Sequence, residues 1–187
     1  MRQSLSRLAS PSIIAFLAVS ACAHTESVMG TPDVAVPTTI ETGSGTYQMD
    51  LRDNSRALTD TIAVGVNRAW AALPGVYNAL GLTGGGVIDP DNHMYGVSGE
   101  RLARIDGKHL DEYLDCGSGM SGPRANVDEV RVTAITRLVK NPAGGTRVET
   151  LVSASAKPRG VSVNPVRCRS RAKLEPLIVQ RLSGVSG

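Results

Sequence analysis

Aromatic residues are scarce in this chain of 187 residues, which has one tryptophan, one phenylalanine and four tyrosines, 3% of its composition. The phenylalanine, Phe16, lies in an apolar N-terminal run, so the rest of the chain has only Trp70 and the tyrosines as large rings. We therefore expect a hydrophobic core built mostly from aliphatic side chains.

No apolar run in the sequence is long enough to span a bilayer. The run PSIIAFLAVSA, residues 11–21, falls far short of the roughly 20 apolar residues that a spanning helix needs. Arg2 and Arg7 precede it without any acidic residue. A basic start followed by a short apolar stretch is typical of an export signal, and we predict that this segment is one.

Two processing signals overlap at the end of this run. VSAC, residues 19–22, resembles the bacterial lipobox, in which a branched residue and two small residues precede a cysteine that is acylated. ACA, residues 21–23, fits the site of ordinary signal peptidase. Because a cysteine at that place is uncommon by chance, we predict a lipoprotein signal peptide over residues 1–21 and lipidation of Cys22. The alternative is a secreted soluble domain cleaved after Ala23.

The stretch that follows Cys22 lacks any sustained hydrophobic period. Residues 22–45 are rich in threonine, proline, glycine and serine, which is the composition of a linker. We predict a flexible tether over residues 22–45 and a single domain over residues 46–187.

Cysteine is rare, and no C-x-x-C pair that would indicate a redox centre occurs. Besides Cys22 the chain has only Cys116 and Cys168. In an exported, oxidising compartment two such cysteines favour a disulfide. On the chain-entropy model, closing a loop of that length stabilises the fold by roughly 4 kcal/mol. Two free buried thiols are the alternative.

Neither sign of charge is in strong excess. The whole chain has a formal net charge of +3, and residues 1–21 contain two arginines and no acid, so the remainder has a net charge of +1. A protein so close to neutral has no overall electrostatic attraction to nucleic acid. We therefore predict no nucleic-acid partner.

Motifs for catalysis and for cofactors are missing as well. The histidines, His24, His93 and His109, form no H-E-x-x-H or Cys/His spacing. Residues 89–100 place two aspartates and a glutamate as in a calcium loop, but the sixth position, where glycine is needed, is Met94. We expect a plain hairpin there. No G-x-S-x-G elbow and no phosphate-binding loop occur, so we predict a protein that is not an enzyme and has no metal or cofactor.

Hydrophobic periods in the first half of the domain predict strands and then a helix. One or two strands are expected between Tyr47 and Val66. The following helix is predicted to start at an Asn67 cap, to end at Gly81, and to be kinked or briefly broken at Pro74. Its apolar face consists of Trp70, Leu73, Tyr77 and Leu80.

Alternating patterns in the second half predict antiparallel strands. Residues 84–97 indicate two short strands around a turn, and residues 129–139 and 146–157 indicate a long hairpin. A change of phase at Ala134 and Ile135 indicates a bulge. The chain ends in a predicted helix with a stripe of Leu174, Ile178 and Leu182. This order predicts an α+β fold, an antiparallel β-sheet with one long kinked helix and a C-terminal helix packed on one face.

A run of cations without acids occupies residues 157–173. It consists of Lys157, Arg159, Arg167, Arg169, Arg171 and Lys173. We hypothesise that Arg167, Arg169, Arg171 and Lys173 contact an anionic surface, such as lipid headgroups, lipopolysaccharide phosphates or an acidic partner. The alternative is a solvated edge strand that its charges protect from aggregation.

Three stretches resemble a group of uncharacterised bacterial lipoproteins. They are AWAALPGVYNALGL, LDCG around Cys116 and CRSRAKLEPLI, and together they span residues 64–182. The order of elements is similar to the helix-grip domains of BamC, the lipoprotein of the outer-membrane β-barrel assembly machinery. This resemblance implies a non-catalytic binding role. Ala23, in place of an aspartate after the acylated cysteine, resembles the pattern that sends lipoproteins to the outer membrane.

Together these observations predict a protein of the bacterial cell envelope. We expect it to be anchored by lipid to the outer membrane, to face the periplasm and to have a structural or adaptor role toward other envelope proteins. The alternative is a carrier or sensor for a small apolar ligand held between helix and sheet.

Overall fold

The strands and helices follow the order that the hydrophobic patterns predict. The structure, a computed structural model, describes residues 36–42, 45–51 and 57–185. In these residues the strands are β1 (Val36–Thr42), β2 (Gly45–Leu51), β3 (Leu58–Ile62), β4 (Gly86–Asp89), β5 (Met94–Leu102), β6 (Arg104–Ile105), β7 (Lys108–His109), β8 (Leu114–Asp115), β9 (Ser118–Gly119), β10 (Gly122–Pro123), β11 (Glu129–Lys140), β12 (Thr146–Lys157) and β13 (Val166–Ser170). The helices are α1 (Val66–Ala79), α2 (Arg124–Val127) and α3 (Leu174–Ser183), and Leu110–Glu112 form a 3₁₀ turn.

One antiparallel sheet organises the domain. Its strand order is β4-β5-β11-β12-β13-β8. The long strand β12 has two neighbours on its far side, because β3 pairs with its first half and β13 with its second half. The fold is therefore mixed α+β with a mostly antiparallel sheet, as predicted. The finer helix-grip resemblance is not confirmed.

β11 and β12 form the predicted long hairpin at the centre of the sheet. Every residue of Glu129–Lys140 faces a residue of β12. The connecting turn requires glycine at position 145. Gly145 has a φ of +76°, and a Cβ atom there would overlap the carbonyl oxygen of Ile62. Only glycine allows this conformation together with such a close approach of two backbone segments.

The bulge predicted in β11 is wrong. Alternate residues of this strand stay buried on one face, and they are Val130, Val132, Ala134, Thr136 and Leu138. Ile135 is buried on the opposite face beside Val87. The consecutive apolar residues Ala134 and Ile135 therefore lie on two different faces of a regular strand, and they do not mark a change of phase. The irregularity lies in β5, where Ser98 and Gly99 together face Thr133. The Gly99 N–H donates to the Thr133 Oγ1 at 2.9 Å.

The first long helix begins one residue before its predicted cap. Gly65 is the N-cap residue and no side chain caps the first turn, so the predicted Asn67 cap is wrong. Val66 packs against the core, and this contact places the start of the helix ahead of Asn67. The helix is continuous through Pro74, without the predicted break. A kink at Pro74 stays a prediction.

The end of α1 is as predicted. Gly81 has a φ of +79°, and its N–H donates to the Asn78 carbonyl at 3.0 Å. The N–H of the buried Leu82 donates to the Tyr77 carbonyl at 2.9 Å. This pair of bonds is a Schellman motif, which satisfies carbonyls that the helix end would otherwise leave open.

The C-terminal helix α3 also matches its prediction. Its stripe, Leu174, Ile178 and Leu182, is fully buried. Pro176 falls in the first turn, where the missing N–H has no intrahelical partner to lose. The Ser170 hydroxyl donates to Oε1 of the buried Glu175 at 2.7 Å and so links β13 to the start of the helix.

The core lies between the sheet and the two long helices. One face of the sheet packs against α1 and α3, and we call it the core face and the opposite one the outer face. Aliphatic side chains dominate this core, as predicted. Three hydroxyl groups in this core are paired with each other, since the Tyr77 OH is hydrogen-bonded to the Thr136 Oγ1 at 2.9 Å and Thr136 to the Thr150 Oγ1 at 2.9 Å.

The segment predicted as a tether contains a strand. β1 pairs with β2 from Val36 opposite Leu51 to Thr42 opposite Gly45. The β1 sequence VPTTIET is rich in β-branched residues, which favour extended backbone and outweigh the linker-like composition around them. The predicted signal peptide, residues 1–21, and the predicted lipidation site Cys22 lie outside the described residues.

Candidate functional site

Three arginines from three strands lie in one row on the outer face. Arg131 of β11 faces Arg101 of β5 on one side and Ser155 of β12 on the other, and Ser155 faces Arg167 of β13. Opposed residues of antiparallel strands project to the same face. The valines on either side of Arg131 are buried in the core, so this row projects outward.

Three further cations extend this row. Lys157 and Arg169 lie two positions along their strands from Ser155 and Arg167 and so share the outer face. Arg159 follows in the loop after β12. We call these six residues the basic cluster, namely Arg101, Arg131, Lys157, Arg159, Arg167 and Arg169. All are exposed except Arg167, which is half-buried.

Carboxylates balance only part of this charge. Oε1 of Glu129 lies 2.8 Å from Arg101 Nη2 and 3.4 Å from Arg131 Nη2. Asp128 lines a groove beside these side chains, and Asp115 of β8 faces Arg169 of β13. Among the described residues, the six cations of the basic cluster thus exceed these three carboxylates, Glu129, Asp128 and Asp115, by three charges. Because exposed ion pairs contribute less than about 1 kcal/mol, an anionic ligand can compete for these side chains.

An exposed loop borders the basic cluster. Two adjoining grooves of 420 and 490 Å³ lie at the base of this loop, residues 158–165, and both are lined by Glu129, Arg159 and Gly160. Within the loop, Val161 is 51% exposed and Val163 is 45% exposed. Positive charge and exposed apolar side chains therefore occur together at one end of the outer face.

The structure divides the four residues that were predicted to contact an anionic surface. Arg167 and Arg169 belong to the basic cluster. Arg171 lies in the connection to α3, where its backbone N–H donates to the Tyr113 carbonyl at 2.8 Å. Lys173 lines a separate groove of 300 Å³ beside α3.

This second groove carries charges of both signs. Asp106, Lys108 and Glu112 line it, and Nζ of Lys108 lies 3.7 Å from Oε2 of Glu112. Burial, with the nearby Asp106 and Glu112 carboxylates, raises the pKa of Tyr113 above its usual value. Since its charges offset each other, this groove lacks the net positive charge of the basic cluster.

The sequence interpretation missed Arg101 and Arg131. The signal for Arg131 was present, because this residue alternates with buried valines and must therefore lie on the outer face. Nothing in the local pattern pairs it with residue 101, which is distant in sequence.

The predicted disulfide is confirmed. Cys116 and Cys168 are bonded, with both residues buried. Cys168 faces Ala154 on the core face, so the arginines on either side of it project outward. The disulfide thereby holds β13, which contributes Arg167 and Arg169, to the end of β8.

The two described histidines lie apart from each other. His93 packs edge-on against Trp70 with ring centroids 5.7 Å apart, and Nε2 of His109 lies 3.3 Å from Nη2 of Arg104. Residues 89–100 form the predicted β4–β5 hairpin, in which the Asn92 N–H donates to the Asp89 carboxylate at 3.2 Å. In the described ranges no three His, Cys, Asp or Glu residues are grouped to hold a metal ion.

No helix in the described part of the chain has the length and apolar character needed to cross a bilayer. Comparisons with protein-family models, with curated proteins and with solved structures found no match to this chain.

Proposed function

We propose that this chain is a lipoprotein of the bacterial cell envelope with a non-catalytic structural or adaptor role. Lipid on Cys22 anchors it to the outer membrane on the periplasmic side, and a helix-grip-like domain binds other envelope components. The observation that carries this proposal is the basic cluster, which gives one face of a nearly neutral protein a concentrated positive charge. Such a face favours a fixed anionic partner.

The disulfide supports an exported location. Bonds of this kind persist in oxidising compartments such as the periplasm and are rare in the cytosol. The Cys116–Cys168 bond joins two parts of the chain that are 52 positions apart. Together with the VSAC motif at residues 19–22, it is consistent with a folded domain that matures outside the cytoplasm.

The surroundings of His93 and His109, the histidines that the structure describes, support a binding role over a catalytic one. General acid–base catalysis places an imidazole within hydrogen-bond reach of a reacting group. His109 instead lies beside the guanidinium of Arg104, and His93 packs its ring on Trp70.

A carrier of small apolar ligands, the alternative that the sequence suggests, needs space between the helices and the sheet. The side chains in that layer are close-packed, and Leu73, Tyr77 and Ile178 among them have no exposed surface. We therefore favour the adaptor role. Native mass spectrometry of protein extracted from its own membrane tests the alternative, since a bound apolar ligand would favour the carrier.

Fractionation and cross-linking in intact cells test the proposed function. We expect the wild-type protein in the membrane fraction and cross-linked to a discrete envelope component. Replacing Cys22→Ala removes the acceptor of the lipid while keeping an A-x-A site at residues 21–23. This variant should be released from the membrane fraction by a high-salt wash, which leaves the wild type in place, and should lose the cross-link. A wild-type protein that is itself soluble would contradict the proposal.

A further inference from the structure

We propose that the basic cluster and the loop of residues 158–165 dock on the phosphate groups of anionic lipids in a bilayer. This inference rests on the proposed function and names the ligand of its contact surface. It assigns the end of the outer face that carries the basic cluster to the membrane, while the other end, with Arg137 and Arg147, and the helices on the core face lie away from the lipid.

The spacing of the arginines suits a layer of headgroups. Strands of a sheet lie about 5 Å apart, so the row from Arg101 through Arg131 to Arg167 extends about 15 Å across four strands. The guanidinium group binds phosphate through two parallel hydrogen bonds. A row of this length on one face of a sheet can therefore contact more than one headgroup at a time.

The exposed valines favour a lipid surface over an acidic protein. Val161 and Val163 project from a loop that has cationic residues at its base, including Lys157 and Arg159. Interfacial binding combines apolar side chains that enter the headgroup layer with cations that meet its phosphates. An acidic protein surface would pair with the cations and leave the two valines without a role.

Vesicle sedimentation of the lipid-free Cys22→Ala protein tests this proposal, because any binding then comes from the folded domain. We expect it to bind vesicles of phosphatidylglycerol and phosphatidylcholine, and not vesicles of phosphatidylcholine alone. Added salt should weaken the binding, since it screens exposed charges. Binding to both kinds of vesicle, or to neither, would overturn the proposal.

Two matched pairs of arginines locate the contact surface. The first double variant, made in the Cys22→Ala background, is Arg101→Gln with Arg131→Gln. It removes two arginines that both form ion pairs with Glu129. The control double variant is Arg137→Gln with Arg147→Gln. It removes two arginines that both form ion pairs with Glu149, at the other end of β11 and β12. We expect the first pair to weaken binding about 25-fold, since each of the two cations near an anionic membrane contributes about fivefold. The second pair should have a much smaller effect.

Equal losses from the two pairs of substitutions would show that binding depends on net charge alone and would overturn the assignment of the surface.

For the loop, the double variant Val161→Ser, Val163→Ser should weaken binding severalfold. Ile88→Ser, which changes a residue that is 52% exposed on another strand, should not. Equal effects would overturn the role of the loop. Failure of the proposed function would be seen in a different experiment, the membrane fractionation of the wild-type protein. The vesicle experiments test only the contact with lipid.

Discussion

At the scale of single residues, Tyr77 is a polar group held inside the core. It is fully buried, and its OH is hydrogen-bonded to Thr136, which is in turn bonded to Thr150. Burial raises the pKa of Tyr77 well above its usual value, and the hydrogen bond to Thr136 offsets only part of this effect. The folded protein therefore keeps the phenol protonated.

This pKa shift predicts a loss of stability at high pH. In the unfolded chain Tyr77 titrates near pH 10.0. The unfolded state therefore releases the proton first, and the stability contributed by Tyr77 is complete below pH 10 and lost as the pH rises toward the folded pKa. The free energy of unfolding should fall by up to about 1.4 kcal/mol per pH unit above pH 10 through this group. Urea denaturation between pH 8 and pH 11 measures it.

The Tyr77→Phe variant isolates this effect. It should lose about 1 kcal/mol of stability at neutral pH, because one hydrogen bond is removed. Above pH 10 its stability should fall less steeply than that of the wild type. Tyr95→Phe is the comparison, since it removes only the last and smallest cause of the Tyr77 pKa shift and should keep most of the wild-type slope. Parallel pH profiles for wild type and Tyr77→Phe would contradict this interpretation.

At the scale of elements, the disulfide holds the short strand β8 to β13. These strands pair through only two residues of each, so the covalent bond is their main connection. We predict that replacing both Cys116 and Cys168 with serine lowers the free energy of unfolding by about 2 to 4 kcal/mol. Denaturation of the variant beside the oxidised wild type measures the difference, and unchanged midpoints would show that the bond is dispensable.

The stripe of α3 predicts a second effect at this scale. Leu182 has no exposed surface, whereas Leu177 on the same helix is half-buried. Leu182→Ala should destabilise the domain by about 2 to 5 kcal/mol, because it leaves a cavity in the core. Leu177→Ala should cost clearly less. Thermal unfolding compares the two variants, and equal losses would mean that α3 is not packed through this stripe.

The elements were predictable where one local signal decides them. The alternation in β11 and β12, the spacing of Leu174 and Ile178, and the glycine after α1 each determine a strand, a helix face or a helix end. Predictions failed where packing overrides the local signal. Val66 starts α1 ahead of Asn67 because it packs on the core, and the bulge lies in β5 because Gly99 allows a positive φ there.

At the scale of the whole molecule, the site depends on pairing between strands that are distant in sequence. The cation-rich run at residues 157–173 was visible in the sequence, but β13 ends at Ser170, so Arg171 and Lys173 lie beyond the strand and outside the basic cluster. Pairing between strands adds Arg101 and Arg131, which come from two other strands. Strand register, which local composition does not encode, made this part of the site unpredictable.

The intact mass of the mature protein tests the central claim, that a lipid on Cys22 anchors this domain beside an anionic membrane. We predict that protein purified from its native membrane begins at Cys22, has the added mass of a diacylglyceryl or triacylated cysteine, and enters the detergent phase on phase separation. A chain that begins at His24, without added mass and in the aqueous phase, would contradict the account.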